Sequence, residues 1–187
     1  MSPAAGRRAS AAIATIVLLA TAGCGTLTPR GGDPFPPRPF VLDVAAVDTC
    51  SALTPTQRSE LSVETGRPVS SQDGTSRGCT WLGTGDTGYN LQTLATDATT
   101  AVDADPTSTI VSVQAFGAVQ SSPPAPGTGL PFCQLVVDVA DGASLRVQIQ
   151  IDPTGGGAGA RTSETLCADA REVTAQMLGT LRARQAS

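Results

Sequence analysis

Two absences decide which residues of this chain could do chemistry. Its 187 residues include no histidine, and all twelve basic residues are arginine. Without histidine there is no Ser-His-Asp triad, Cys-His dyad or histidine metal site. Without lysine there is no Schiff base and no Ser-Lys dyad. What survives is carboxylate chemistry, either a glycosidase-like pair or an oxygen-ligand calcium site. Asp103 and Asp105, in D-A-D-P, are the nearest such pair, but their loop lacks the further ligands and central glycine of a calcium loop. G-T-G-D-T-G (83–88) fits the dinucleotide pattern G-x-G-x-x-G, which works only between a strand and the N-terminus of a helix. Here Y-N-L-Q-T-L-A-T follows, with Tyr89, Leu91 and Thr93 alternating as in a strand, so 83–88 reads as a hairpin loop. The glycine run 155–157 precedes a helix, as a phosphate loop does, but the lysine of that motif is missing. The expectation is a non-enzyme with no catalytic residue, no cofactor and no metal.

The five cysteines carry the remaining chemistry. Residues 1–23 hold Arg7 and Arg8, an apolar stretch at 11–20 and the ending T-A-G before Cys24, which is the order of a secretory signal peptide. The apolar stretch is too short to span a bilayer. Thr21-Ala22-Gly23-Cys24 resembles the lipobox of bacterial lipoproteins, with Thr21 standing where an aliphatic residue is usual. The resemblance implies a diacylglyceryl group on Cys24, which becomes the first mature residue. Cys50, Cys79, Cys133 and Cys167 then remain, an even number in an exported chain, and two disulfides are expected. Their gaps of 29, 54 and 34 residues lack the close spacing of a four-cysteine zinc site.

Residues 24–40 contain five prolines in G-T-L-T-P-R-G-G-D-P-F-P-P-R-P-F and read as an extended flexible linker, reaching roughly 50 Å at about 3.1 Å per residue. A single folded domain is expected over 41–187. Removing Arg7 and Arg8 with the signal leaves ten arginines against sixteen acids, a net charge of −6. Such a chain has no basic face for nucleic acid.

The elements that must position the cysteines are legible. Thr54, Pro55 and Gln57 form a helix start with a capping box, and Gly66 is the expected stop. Cys79 and Trp81 share one side of a short strand. In C-Q-L-V-V-D-V-A-D-G-A-S-L-R-V-Q-I-Q-I, residues Cys133, Leu135, Val137 and Val139 share a face, as do Leu145, Val147, Ile149 and Ile151. A two-residue turn at Asp141-Gly142 would set Val137 opposite Arg146, so an odd connection with Gly142 in the left-handed conformation is expected. Gln134, Asp138, Arg146, Gln148 and Gln150 then face the other way. From Ser163 to Arg184, residues Leu166, Ala170, Val173, Met177 and Leu181 mark an amphipathic helix. Of three possible pairings, Cys50–Cys79 ties the first helix to its strand and Cys133–Cys167 pins the last helix on the hairpin.

The set D-T-C-S-A-L-T-P-T-Q (48–57), Gly78-Cys79-Thr80-Trp81, Cys133 opening an apolar strand and Cys167-Ala168 in a C-terminal helix resembles the actinobacterial lipoproteins catalogued as domain of unknown function 3558. The resemblance covers residues 44–181. It implies a lipid-anchored extracytoplasmic domain with two disulfides, and it assigns no activity. The expected fold is α+β: an antiparallel sheet with a short N-terminal helix and a long C-terminal helix packed on it. The expected role is a non-enzymatic binding or accessory module on the outer face of the cytoplasmic membrane. It would be held there by the lipid on Cys24 and meet another envelope protein or a small ligand. The alternatives are a carboxylate-based hydrolase of envelope polymers and a carrier of an apolar ligand.

Overall fold

The computed structural model describes residues 33–71, 74–83, 87–122, 131–151 and 161–187. In chain order they form a 3-10 turn Thr49–Ser51, α1 Pro55–Glu60, β1 Arg67–Ser70, β2 Arg77–Leu82, β3 Thr87–Leu94, α2 Thr100–Ala104, β4 Thr109–Val113, β5 Phe116–Ser121, β6 Phe132–Ala140, β7 Ala143–Ile151 and α3 Ser163–Gln185. Among the described residues the seven strands make one antiparallel sheet in the order β1-β2-β3-β7-β6-β5-β4. The expected α+β architecture is therefore present.

α3 lies on one face of this sheet, chiefly across β6 and β7. Its start is a capping box between Thr162 and Thr165. The predicted stripe of Leu166, Ala170, Val173, Met177 and Leu181 is buried, and Cys167, Thr174 and Leu178 widen it. Against it stand Trp81, Leu91, Leu135, Val137, Leu145, Val147 and Ile149, each at most 1% exposed. Burying a side chain of this size stabilises the fold by about 1.5–3 kcal/mol.

The β6–β7 hairpin has the expected register, with Leu135 opposite Val147 and Val137 opposite Leu145. The connection differs in detail. Ala140 pairs with Ala143 across a two-residue Asp141-Gly142 turn, and an irregularity between Asp138 and Ala140 leaves Val139 as the extra residue that restores the register. Gly142 has φ +68°. The carbonyl of Val139 accepts the Leu42 N–H at 3.1 Å.

Two boundaries are corrected. α1 starts at the predicted capping box, with Thr54 N–H donating to Gln57 Oε1 at 2.8 Å, but it ends at Glu60 rather than at Gly66. Ser62 takes the left-handed conformation (φ 53°), and Val63 bridges to Gly83, so the chain turns toward β1 four residues early. The folded unit also begins before residue 41, since it runs Asp33–Ser187. Residues 33–40, expected to be linker, form a strap around the end of the sheet that carries the Asp141-Gly142 turn. Phe35 is 7% exposed and sits over Gly117, where a Cβ would come 2.6 Å from its ring. Phe40 meets Phe116 edge-on at 4.7 Å and carries the Arg182 guanidinium 4.8 Å above its ring. The proline spacing predicted an extended chain but did not predict that Phe35 would be buried and Phe40 partly buried against the core.

Candidate functional site

Cys24 lies outside the described residues. The other four cysteines pair as expected, Cys50 with Cys79 and Cys133 with Cys167. They fasten the 3-10 turn to β2 and α3 to β6. All four are consumed as structural bridges.

The loop 83–88 joins β2 to β3, and Gly83 N–H donates to Thr87 O at 2.9 Å. Residues 84–86 lie outside the described residues. Because a strand follows the loop, the helix N-terminus that a pyrophosphate site requires is missing there. Residues 152–160, which hold the second glycine run, lie outside the description too. At D-A-D-P, Asp105 Oδ1 accepts the Thr107 N–H at 2.9 Å and its hydroxyl at 2.7 Å. Those two bonds, the hydroxyl first, hold the Asp105 carboxyl below the ordinary carboxylate range. Asp43 and Asp48 line a cleft of about 380 Å³ with Val47, Leu181, Arg184 and Gln185. Both cap turns, Asp43 accepting from Ala45 N–H at 2.9 Å and Asp48 from Cys50 N–H at 3.1 Å. Between the sheet and α3, large side chains such as Trp81, Phe116, Leu91, Ile149 and Met177 fill the interior.

The sheet face turned away from α3 has a different character. Cross-strand register puts Thr80 beside Asn90, Asn90 beside Gln148, Gln148 beside Gln134, and Gln134 beside Ser121. This makes a polar row across five strands. Asn90 Nδ2 donates to Thr80 Oγ1 at 2.8 Å. Gln148 Nε2 donates to Gln134 Oε1 at 3.0 Å, and Gln134 Nε2 to Ser121 Oγ at 3.2 Å. The row is thus bonded in two pieces, and the break falls between Asn90 and Gln148. Asn90 Oδ1 is buried there without a partner.

One row along, Gln92 stands opposite Arg146. Arg146 donates through Nη2 to Gln92 Oε1, while its Nε is buried without a partner. Among the described residues no carboxylate pairs with it. Burial accordingly lowers its pKa from the ordinary guanidinium value. Gly78 makes room for Gln92, since a Cβ there would come 2.7 Å from Gln92 Cγ.

Arg38 shows the opposite arrangement. Its Nε and Nη2 grip the two oxygens of Asp138 at 2.7 and 2.8 Å, and Nη1 reaches Asp141 at 2.6 Å. The bonds to Asp138 raise its pKa above the ordinary value. Asp138, expected on the half-exposed face, is only 3% exposed because the strap covers it. Around it Phe35, Ala98, Val119 and Val136 form a second apolar cluster, with Leu94, Ala101 and Val102 at its margin. The polar patch of Asn90, Gln92, Arg146, Gln148 and Gln134 is what this cover leaves open. Alternation places Gln134, Arg146 and Gln148 outward, but it cannot show that no carboxylate among the described residues pairs with Arg146.

Residues 19–180 match the sequence model of the family described as Protein of unknown function (DUF3558). No curated protein matches the chain. A crystal structure from Bacteroides thetaiotaomicron VPI-5482 is similar at 9% identity and a TM-score of 0.36, over 59% of this chain and 40% of that one. The chain thus spans less than half of that protein's length, and a likeness of this size carries no argument.

Proposed function

The chain belongs to the DUF3558 family, and on that premise we propose that it is a cell-envelope lipoprotein, a non-enzymatic binding module held at the outer face of the cytoplasmic membrane. The observation that carries the reading is Thr21-Ala22-Gly23-Cys24 behind a basic and apolar leader, eight residues ahead of a domain closed by two disulfides. Disulfides persist in exported proteins, and a lipid-bearing cysteine holds a protein stably only with more than one acyl chain. Because the folded unit starts at Asp33, residues 25–32 are the whole spacer. The nine Cα steps from Cys24 to Asp33, at about 3.3–3.6 Å each, reach no more than about 32 Å, so the domain works close to the bilayer.

The test is Cys24→Ser with fractionation and palmitate labelling of cells. The expected result is loss of label together with release from the membrane fraction or arrest as uncleaved precursor. A substituted protein that is processed and membrane-bound like the native one would overturn the reading.

A further inference from the structure

A cation and two carboxylates share one open cleft without pairing. Asp43, Asp48 and Arg184 line the cleft of about 380 Å³ between the turn ahead of α1 and the last turn of α3, and all three are exposed. Among the described residues no ion pair joins Arg184 to either acid. Each acid instead commits one oxygen to a backbone N–H, Asp43 to that of Ala45 and Asp48 to that of Cys50. These bonds fix the carboxylates and leave the second oxygen of each for the cleft.

The walls of the cleft are braced. Asp43 N–H donates to Gln185 Oε1 at 2.9 Å, and Gln185 Nε2 donates to the Val41 carbonyl at 3.0 Å. Arg77 Nη2 holds the carbonyls of Ala45 at 2.6 Å and Val44 at 3.3 Å, and the Cys50–Cys79 bridge ties down the 3-10 turn. An irregular stretch held from three sides keeps its charged groups in place, so little ordering remains to be done when a ligand arrives. The floor is apolar, since Leu181 is 3% exposed and Val47 is partly buried against the core.

We propose that this cleft binds a free basic amino acid of the lysine or ornithine type, with its carboxylate on Arg184, its two ammonium groups on Asp43 and Asp48, and its methylene stem over Leu181 and Val47. Charge selects the class. Two carboxylates against one guanidinium leave a single negative charge uncancelled, and a basic amino acid, with two ammonium groups and one carboxylate, carries the complementary charge. A planar guanidinium matches the ligand carboxylate through two parallel N–H bonds. The C-terminal end of α3, at Gln185, adds a partial negative charge that favours an ammonium group further. A calcium ion fits less well, because it takes about six to eight oxygen ligands and no group of three or more metal-ligating side chains stands among the described residues. The volume lies at the small end of the range of about 300–1,000 Å³ usual for ligand clefts, which suits one amino acid rather than a polymer.

The proposal rests on the reading of the chain as a binding module and names the class of its ligand. The full chain, ¹⁵N-labelled and in detergent, is titrated with L-lysine and with three analogues at one ionic strength set by sodium chloride. Cadaverine lacks the carboxylate, aminohexanoate lacks the α-ammonium, and norleucine lacks the side-chain ammonium. The backbone N–H signals of Ala45 and Cys50 report on the two acids that accept from them. Lysine should move both signals saturably, with a Kd on the order of 1 mM, because ion pairs open to solvent are weak. Each analogue should bind about threefold to fivefold more weakly, the factor that one such pair carries. Arg184→Gln should bring lysine down to the level of cadaverine and leave cadaverine unmoved. No saturable shift with lysine in the native chain, or one that sodium chloride alone reproduces, overturns the proposal. Cadaverine as tight as lysine overturns the Arg184 contact, and aminohexanoate or norleucine as tight as lysine overturns the dibasic ligand. The native titrations need no variant to fold. Membrane release by Cys24→Ser is read separately, so a failed titration with intact Cys24-dependent attachment removes the ligand class alone.

Discussion

Gly66 lies against Trp81: a Cβ at residue 66 would come 2.6 Å from the indole Nε1 and 2.4 Å from Cys79 Sγ. The chain entering β1 therefore passes directly over the Cys50–Cys79 bridge, and only a residue without a side chain fits. Gly66→Ala should destabilise the domain by about 1–3 kcal/mol, the usual cost of overpacking a filled core. Urea unfolding followed by Trp81 fluorescence measures it. A midpoint equal to the native one would show that the β1 backbone moves aside freely.

Arg38, partly exposed, and the buried Asp138 form the ion pair of the strap. Arg38→Met should cost about 3 kcal/mol, because it leaves a buried carboxylate without its partner. Adding Asp138→Leu should recover much of that loss, since an apolar pair of similar volume is often as stable as the ions it replaces. The bonds from Asp138 and Asp141 raise the Arg38 pKa. A raised base stabilises the fold below its unfolded pKa and loses that contribution only as pH rises through the folded value. The unfolded value is the ordinary guanidinium one and the folded value lies above it, so Arg38 should stay charged throughout neutral and mildly alkaline pH. Thermal unfolding of the native chain, Arg38→Met and the double variant checks the set.

Asp105 gives the pH dependence of opposite sign. Its carboxyl is lowered by the Thr107 hydroxyl and amide, so the stabilisation is present above the unfolded pKa and is lost as pH falls through the folded one. Thr107→Val removes the hydroxyl and keeps the amide. The Asp105 titration should then rise toward the ordinary carboxylate range, which a carboxylate-detected NMR titration reads. An unmoved titration would mean that the hydroxyl does not bond the charged form.

The Cys133–Cys167 bridge closes a loop of sequence separation 34. On the chain-entropy account, losing it in Cys133→Ala with Cys167→Ala should cost about 4 kcal/mol. Equilibrium unfolding under non-reducing conditions measures the loss, and a change well below 1 kcal/mol would mean that the unfolded chain is already confined.

Local patterns were legible where one residue sets the conformation or one face is buried. The capping box at Thr54–Gln57 needs only three neighbouring residues. The hairpin register follows from the rule that a slip by one residue turns every side chain over, and Gly142 takes the positive φ that the odd count required. The stop at Ser62 was hidden because a serine at positive φ has no sequence signal, whereas Gly66 advertised an ending that it does not make. The strap was hidden for a different reason. Its prolines describe an extended chain, and whether such a chain lies on protein or in water depends on a groove built from residues a hundred positions away. The candidate site was half visible, since alternation places Arg146 outward but pairing is a property of the folded sheet. β1 and β4, the edge strands, gave too little alternation to read.

The strap also defines how the domain bears tension applied from its N-terminal side. Phe35 over Gly117, Arg38 on Asp138 and Asp141, and Leu42 on the Val139 carbonyl are attachments in series along eight residues. A pull from that side peels them one at a time, each yielding before the next is loaded. Beyond them Asp43 N–H is tied to Gln185 and the carbonyls of Val44 and Ala45 to Arg77, and the first covalent fixed point is Cys50, whose bridge hands the force to Cys79 in β2. Residues 51–78 are thereby short-circuited and add no length. The strap is thus a sacrificial element, and the sheet face bearing Arg146 keeps its shape until the strap has given way.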